Sequence, residues 1–265
     1  MRGPGRPIAS LAAALAMAAS ASTMKRASAA DAPRQSTESF TFTQTVSATY
    51  SYLKYLPKDY AAGSGQKWPL VLFLHGAGER GTDPSRVAFH GPPKLVAKGK
   101  DLPFVLVSPQ CPPNQRWNDA ALLALLDHVV ASHSIDTNRV CLTGLSMGGY
   151  GTWSLGTRNP ERFAALAPIC GGGRVIDVLL ADDRARELKA MPVWAFHGDA
   201  DNVVPLSESR AMVEGLQRLG NKGANLTVYP GVGHDSWTRT YDDPEFMKWL
   251  LAQTREGRFG TRKAK

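Results

Sequence analysis

Six short apolar runs, each ending in turn residues, constrain the fold of this chain more than any other feature. They are "LVLFLHG" (70–76), "FVLVSPQ" (104–110), "RVCLTG" (139–144), "ALAPICGG" (165–172), "VWAFHG" (193–198) and "NLTVYPG" (225–231). Continuous rather than alternating apolarity is typical of strands that are buried on both faces. Helical patterns lie between the runs, and such alternation predicts a mostly parallel central sheet with helices on both faces.

The helical stretches carry their own end signals. Asn118 is predicted to cap a helix with one apolar stripe, and a helix over residues 207–219 is predicted to stop at Gly220. Asp243 and Pro244 open the last helix, because proline suits the first helical position.

Two further segments complete the predicted architecture. Residues 38–56 alternate polar and apolar side chains, which predicts an antiparallel N-terminal pair of strands. Between Gly173 and Val193 the stretch "VIDVLLADDRARELK" predicts one crossover helix, so little chain remains there to build a large cap over the sheet.

The first thirty residues have the layout of a secretory signal. Arg2 and Arg6 precede an apolar, alanine-rich stretch over residues 8–21. Cleavage after Ala21 or after Ala29 fits this layout, and the stretch is shorter than the ~20 strongly apolar residues of a membrane span. We therefore expect an exported protein, periplasmic or secreted, with a signal and flexible start at 1–29, one domain at 35–255 and a basic disordered tail at 256–265.

Charge and cysteine content argue against several kinds of site. Lys and Arg number 31 against 23 Asp and Glu, and removal of residues 1–21 leaves 29 basic side chains. No basic patch interleaved with aromatic residues occurs, so nucleic acid is not an expected partner.

Cys111, Cys141 and Cys170 allow at most one disulfide, whose pairing stays open. No metal-ligand spacing occurs, and neither a metal nor a cofactor is expected.

A serine between two glycines marks the candidate site. Gly144-Leu-Ser146-Met-Gly148 lies between an apolar run and a helical stretch and matches G-x-S-x-G, a sharp turn that lifts the serine above the sheet. Side chains at the flanking positions would collide where the helix passes the strand. The position of the motif favours a nucleophilic Ser146 over an incidental serine in a glycine-rich turn.

A serine hydroxyl needs a base, and in this type of turn the partners follow in the order serine, acid, histidine. Only His197 and His234 follow Ser146, and His197 precedes both acid candidates, which leaves His234 as the base. Asp199 and Asp201 both follow a strand end. We favour Asp201 as the acid, with Asp199 as the alternative.

Two backbone N–H groups are needed to bind a developing oxyanion. Met147, the residue after the nucleophile, is predicted to supply one, and Ala77 in "LHGAGERG" the other. His75 is predicted to be structural, hydrogen-bonded beneath that loop. The candidates for a substrate pocket are Trp117, Trp237, Glu79 and Arg80. The two tryptophans could instead pack on helices, and the two charged residues could instead pair with each other.

These segments resemble the α/β-hydrolase superfamily. The chain is similar in particular to exported carboxylesterases of the group of dienelactone hydrolases, feruloyl esterases and prolyl-oligopeptidase catalytic domains. The matching segments, in order between residues 50 and 252, are "KWPLVLFLHGAGERG", "SPQCP", "GLSMGGYGTW", "HGDADNVVP" and "GHDSWTRTYDDPEFMKWLL". True dienelactone hydrolases use cysteine where this chain has Ser146, a departure that argues against dienelactone activity and favours ester hydrolysis.

The resemblance implies a serine esterase that works through an acyl-enzyme. We expect short acyl groups on carbohydrate or phenolic alcohols, in a small-molecule or polymer-attached ester. A serine peptidase of prolyl-oligopeptidase type is the alternative, although that family gates its site with a propeller domain for which we expect no room here. A non-catalytic binding protein on the same scaffold is a third possibility, which a complete triad disfavours.

Overall fold

A single sheet of seven strands organises the described part of the chain. The strands are β1 (Tyr52–Tyr55), β2 (Trp68–Leu74), β3 (Val105–Pro109), β4 (Ile135–Leu145), β5 (Ala165–Ile169), β6 (Val193–Gly198) and β7 (Ala224–Tyr229). Their order across the sheet is β1-β3-β2-β4-β5-β6-β7. β1 and β3 are antiparallel and every other neighbouring pair is parallel, which confirms the predicted mostly parallel sheet.

The computed structural model describes residues 37–43, 47, 49–256 and 258. The chain divides into two units, and the sheet belongs to the second, Ser47–Lys265. The predicted signal at residues 1–29, with both cleavage sites, lies outside the described residues, as does most of the predicted tail at 256–265. Within that tail, the guanidinium of Arg258 donates to the carbonyl oxygen of Phe163 at 3.1 Å.

Eight α-helices flank the sheet in residues 49–256. They are α1 (Gly91–Ala97), α2 (Asp119–Ser132), α3 (Met147–Arg158), α4 (Val175–Leu179), α5 (Ala185–Ala190), α6 (Leu206–Leu219), α7 (Trp237–Asp242) and α8 (Pro244–Ala252). The predicted end signals are confirmed: Asn118 accepts from the N–H of Ala121 at 3.0 Å, Gly220 ends α6 with a φ of 104°, and Asp243 caps α8. No helix of the described residues is long and apolar enough to cross a bilayer.

The core lies on both faces of the sheet. Leu70, Leu72 and Leu74 of β2 pack on one face with side chains of α2, α3 and α6. Val71 and Phe73, between them in sequence, pack on the other face with side chains of α7 and α8. All five are completely buried, and this explains why the run is continuously apolar.

Two details differ from the predicted architecture. Of the described residues in 38–56 only β1 is a strand, and it pairs with β3 rather than with a second N-terminal strand. The alternating pattern over residues 38–56 is longer than the strand with which β1 pairs, because β3 has only five residues. The predicted single crossover helix is instead two short helices, α4 and α5, separated by a segment that contains Asp182 and Asp183, residues of low helix propensity.

Candidate active site

Ser146 occupies a strained turn at the carboxyl end of β4. It lies directly between β4 and α3, with a φ of 52° and a ψ of −117°. A non-glycine residue in such a region costs about 1–3 kcal/mol and persists only where its surroundings hold it. The N–H of Ser146 donates to the carbonyl oxygen of Ile169 in β5 at 2.9 Å. The turn is thus tied to the neighbouring strand, and the half-buried serine lines a cavity beyond the carboxyl end of β4.

The two flanking glycines are required by close approach of the backbone. A Cβ atom on Gly148 would lie 1.9 Å from the carbonyl oxygen of Leu74, and one on Gly144 would lie 2.5 Å from the carbonyl oxygen of Gly148. Neither contact can be relieved by moving a side chain, because the opposing atoms are backbone. The steric reason predicted for both glycines is confirmed.

His234 joins the serine to a carboxylate. Its Nε2 lies 2.9 Å from Ser146 Oγ, and its Nδ1 lies 2.7 Å from Asp201 Oδ2. A carboxylate only accepts hydrogen bonds, so we assign the proton to Nδ1, and Nε2 is left to accept from the serine hydroxyl. The three residues follow β4, β6 and β7, whose carboxyl ends meet at one edge of the sheet.

Asp201 is held as an anion. Its Oδ1 accepts from the N–H groups of Val203 and Val204, both at 2.9 Å, while Oδ2 faces His234. Burial by itself would raise the pKa of Asp201, but the hydrogen bonds from His234, Val204 and Val203 outweigh it, and the pKa lies below its ordinary value. The carboxylate of Asp201 is therefore ionised near neutral pH.

Asp199, the alternative acid, has a different partner. It is exposed, and its Oδ1 accepts from the backbone N–H of Gly231 at 2.7 Å. This contact ties the turn after β6 to the loop after β7. The structure therefore brings Asp201 rather than Asp199 to the imidazole.

Ala77 and Met147, the two residues predicted to supply oxyanion donors, lie beside the serine. Ala77 is the first residue of a 3₁₀ turn, Ala77–Glu79, and Met147 is the first residue of α3. N–H groups at first helical positions have no acceptor within the helix. Both residues line the same cavity as Ser146, and a Cβ atom on Gly76 would lie only 3.6 Å from that of Ser146. The arrangement suits a pair of donors to an oxyanion.

His75 supports this loop from below. It is completely buried, its Nε2 accepts from the N–H of Cys111 at 2.9 Å, and its Nδ1 lies 2.6 Å from the carbonyl oxygen of Gly76. Burial lowers the pKa of His75 from 6.5 to about 4. The imidazole is thus neutral near pH 7, and its position beneath the loop fits the structural role predicted for it.

We expect His75 to make the fold acid-sensitive. Between pH 6.5 and pH 4 the imidazole of His75 is protonated in the unfolded chain but neutral in the folded protein. The free energy of unfolding therefore falls as the pH falls through this window. The loss is on the order of 3 kcal/mol below the folded pKa. Urea unfolding at pH 7, 5 and 4 measures it, and His75→Gln should show a smaller loss. An equal loss in the variant would assign the acid sensitivity to other groups.

A cavity of about 710 Å³ extends from the serine along one face of α3. Ser146, Tyr150, Ser154 and Arg158 line it at a spacing of four residues, and we call it the α3 groove. At 1.5 Å per residue these positions span about 18 Å. The last three were not predicted from the sequence, although helical periodicity from Ser146 would have indicated them. Of the predicted pocket residues, Trp117 and Arg80 also line the groove.

The other two predicted pocket residues lie outside the lining of the α3 groove. The ring of Trp237 packs edge-on against His234 and against His90, each with ring centres 5.3 Å apart. Glu79 is buried, with one carboxylate oxygen 3.7 Å from His90 Nε2 and the other 3.9 Å from His75 Nδ1. Arg80 does not pair with it, since its Nε donates to the carbonyl oxygen of Ala77.

One group of side chains in the described residues has the donor atoms of a metal site. Atoms of Cys170, Asp201 and His234 lie within 4.8 Å of one another. Two of them are already hydrogen-bonded to each other, and burial raises the pKa of the Cys170 thiol to about 12. Metal ligation needs a thiolate, so Asp201 and His234 fit a proton relay better than a metal site with Cys170. All three cysteines, including Cys111 and Cys141, are buried free thiols.

Comparison with known proteins places this site in a family. A solved structure of a thermostable esterase is 36% identical, covers 77% of this chain and 59% of its own, and superposes with a TM-score of 0.65. A protein of Escherichia coli O157:H7 with the provisional name carboxymethylenebutenolidase is 34% identical over 122 residues, 44% of each chain. A bifunctional acetylxylan esterase/xylanase of Neocallimastix patriciarum is 28% identical over 161 residues, 57% of this chain and 21% of that protein.

The chain spans less than half of the length of the curated relatives it matches. The model of the phospholipase/carboxylesterase family matches residues 115–247, half of the chain, and this segment holds all three residues of the hydrogen-bonded triad. With its mostly parallel sheet and the serine turn after β4, the chain belongs to the phospholipase/carboxylesterase family of the α/β-hydrolases.

Proposed function

We propose that this protein is a serine carboxylesterase in which Ser146 is the nucleophile, His234 the general base and Asp201 the acid that orients it. The observation that carries the proposal is the chain of two hydrogen bonds, 2.9 Å from Ser146 Oγ to His234 Nε2 and 2.7 Å from His234 Nδ1 to Asp201 Oδ2. Such a chain activates a hydroxyl that is otherwise a weak nucleophile.

The reaction follows from this geometry. Ser146 Oγ attacks the ester carbonyl carbon while Nε2 of His234 takes its proton, and the N–H groups of Ala77 and Met147 stabilise the negative charge on the carbonyl oxygen. Collapse of this intermediate breaks the bond to the alcohol oxygen, which receives the proton from His234. Water repeats the sequence on the acyl-enzyme, releasing the acid and restoring the serine.

The α3 groove supports a substrate with a large, polar part. Its charged lining residues are Arg80, Arg116, Arg158, Arg174 and Asp177, which would lose hydration if a long alkyl chain filled the groove. Trp117 and Tyr150 supply aromatic surface beside them. We propose short acyl groups on bulky carbohydrate or phenolic alcohols, a choice that the acetylxylan esterase among the relatives also supports.

A polymeric substrate would be met outside the cytoplasm. The arginine-led apolar stretch at the N-terminus supports export, to the periplasm or the medium. N-terminal sequencing of the protein recovered from those fractions tests the proposal, and a start at Met1 would contradict it.

The acyl preference is expected to be short. In a series of p-nitrophenyl esters, kcat/KM should be highest between acetate and butyrate and fall at least about tenfold by decanoate, since a long acyl chain would compete with the alcohol part for the α3 groove and would desolvate its charged side chains. A maximum at long chains would indicate a lipase-like site. Cleavage of peptide p-nitroanilides with ester rates near background would assign the site to a peptidase instead.

The groove itself is tested by filling it. Ser154→Trp should lower kcat/KM for acetylated oligosaccharides at least about tenfold while leaving p-nitrophenyl acetate, which is too small to reach residue 154, within about twofold. Ser207→Trp on the exposed side of α6 is the matched control. Equal losses on both substrates would show that the groove does not hold the larger half of the ester.

A further inference from the structure

A second histidine lies against the carboxylate of Asp201. His197 is completely buried near the end of β6, and its Nε2 is 3.3 Å from Asp201 Oδ2. The same Nε2 lies 2.9 Å from the carbonyl oxygen of Val204, and Nδ1 lies 2.8 Å from Ser209 Oγ in α6. The mechanism above does not use this side chain, and its burial keeps it away from substrate.

The neighbours of His197 determine where its proton is. The two atoms that face Nε2, a carbonyl oxygen and a carboxylate oxygen, only accept hydrogen bonds, so Nε2 must carry a proton. Nε2–H donates to the carbonyl oxygen of Val204, and the positive end of its N–H dipole also lies near Asp201 Oδ2. On the other side, Ser209 Oγ lies 2.8 Å from both Nδ1 and the carbonyl oxygen of Gly171, so this hydroxyl links His197 to the segment after β5.

We infer that His197 is a positioning residue, which holds Asp201 in the orientation that His234 needs; the inference rests on the proposed function. Two contacts carry it. Nε2–H fixes the carbonyl group of Val204, and the N–H of the same residue donates to Asp201 Oδ1. The same N–H lies beside Oδ2, the oxygen that accepts from His234, and stabilises its negative charge. Without His197, the carboxylate would keep its position only through the turn.

His197→Met tests the inference, because methionine has a similar length and no N–H. We expect kcat to fall about 10- to 100-fold, as for a small misplacement of a catalytic group, with KM unchanged because the residue does not touch substrate. His197→Gln, which keeps an N–H donor, should recover a large part of kcat. His128→Met, at an exposed histidine of α2, is the control and should leave kcat unchanged. A His197→Met kcat within about twofold of wild type would overturn the inference.

A double-mutant cycle separates this role from a general loss of structure. Because His197 acts through Asp201, His197→Met should cost less than about threefold in kcat when Asp201→Asn is already present. Losses that multiply in the double variant would show that His197 does not act on the acid. Absence of ester hydrolysis in the wild-type protein would instead contradict the proposed function, so the two failures are distinguishable.

A milder variant covers the case in which His197→Met does not fold. Ser209→Ala removes the partner of Nδ1 and leaves the contact with Val204 in place. It is expected to lower kcat in the same direction, by about threefold or more, with KM unchanged. A folded Ser209→Ala protein with wild-type kcat would contradict the inference.

Discussion

Ser146→Ala is expected to remove essentially all ester hydrolysis from a protein that still folds. The rate should fall by roughly 10³-fold or more, because the acyl-enzyme cannot form and the residues of a triad fail as a unit. The hydroxyl makes its hydrogen bond to His234, and the backbone contacts of the turn do not involve it. The midpoint of thermal unfolding should therefore change little.

The measurement is kcat on p-nitrophenyl acetate, beside labelling by a fluorophosphonate and a thermal melt. The variant should lose the label as well as the activity, and His234→Ala should lose nearly as much activity. Ser207→Ala, on the exposed face of α6, is the control. More than about a tenth of the wild-type rate in Ser146→Ala would exclude this serine as the nucleophile.

Asp201→Asn is the second large effect. An amide at this position can place an NH₂ group toward Nδ1, which then has to be an acceptor, so that Nε2 carries the proton and cannot take one from the serine. Such a change of tautomer lowers kcat by about 10⁴-fold in a serine-histidine-aspartate triad of the same geometry on another fold. The substitution nearly conserves shape, so a loss of this size reports on chemistry rather than on packing.

Asp199→Asn is the matched control two residues away. An asparagine there still offers an oxygen to the N–H of Gly231, and kcat should change by less than about threefold. Both kcat values are measured on the same ester. A reversed order of the two effects would move the role of the acid to Asp199.

Local patterns were enough to predict the sheet and the strained turn that holds Ser146. The run of β2 is buried on both faces, so its composition alone indicated a parallel strand. A Cβ atom at Gly144 would meet Gly148 within the turn and one at Gly148 would meet Leu74 of β2, and both requirements appear as glycines in a motif of five consecutive residues. His234 could be proposed because chain order left no other histidine. In each case the deciding information lies in neighbouring residues or in their order.

Only the tertiary structure decided which side chains meet across the strand ends. The sequence favoured Asp201 as the acid and left Asp199 as the alternative; the structure separates them because the carboxylate of Asp199 contacts the loop after β7 and that of Asp201 contacts His234. The pairing of β1 with β3 and the place of His197 beside Asp201 depend in the same way on contacts between distant elements. A pattern of residue types specifies which surface of an element is buried, whereas the partner of a polar side chain depends on where every other element packs.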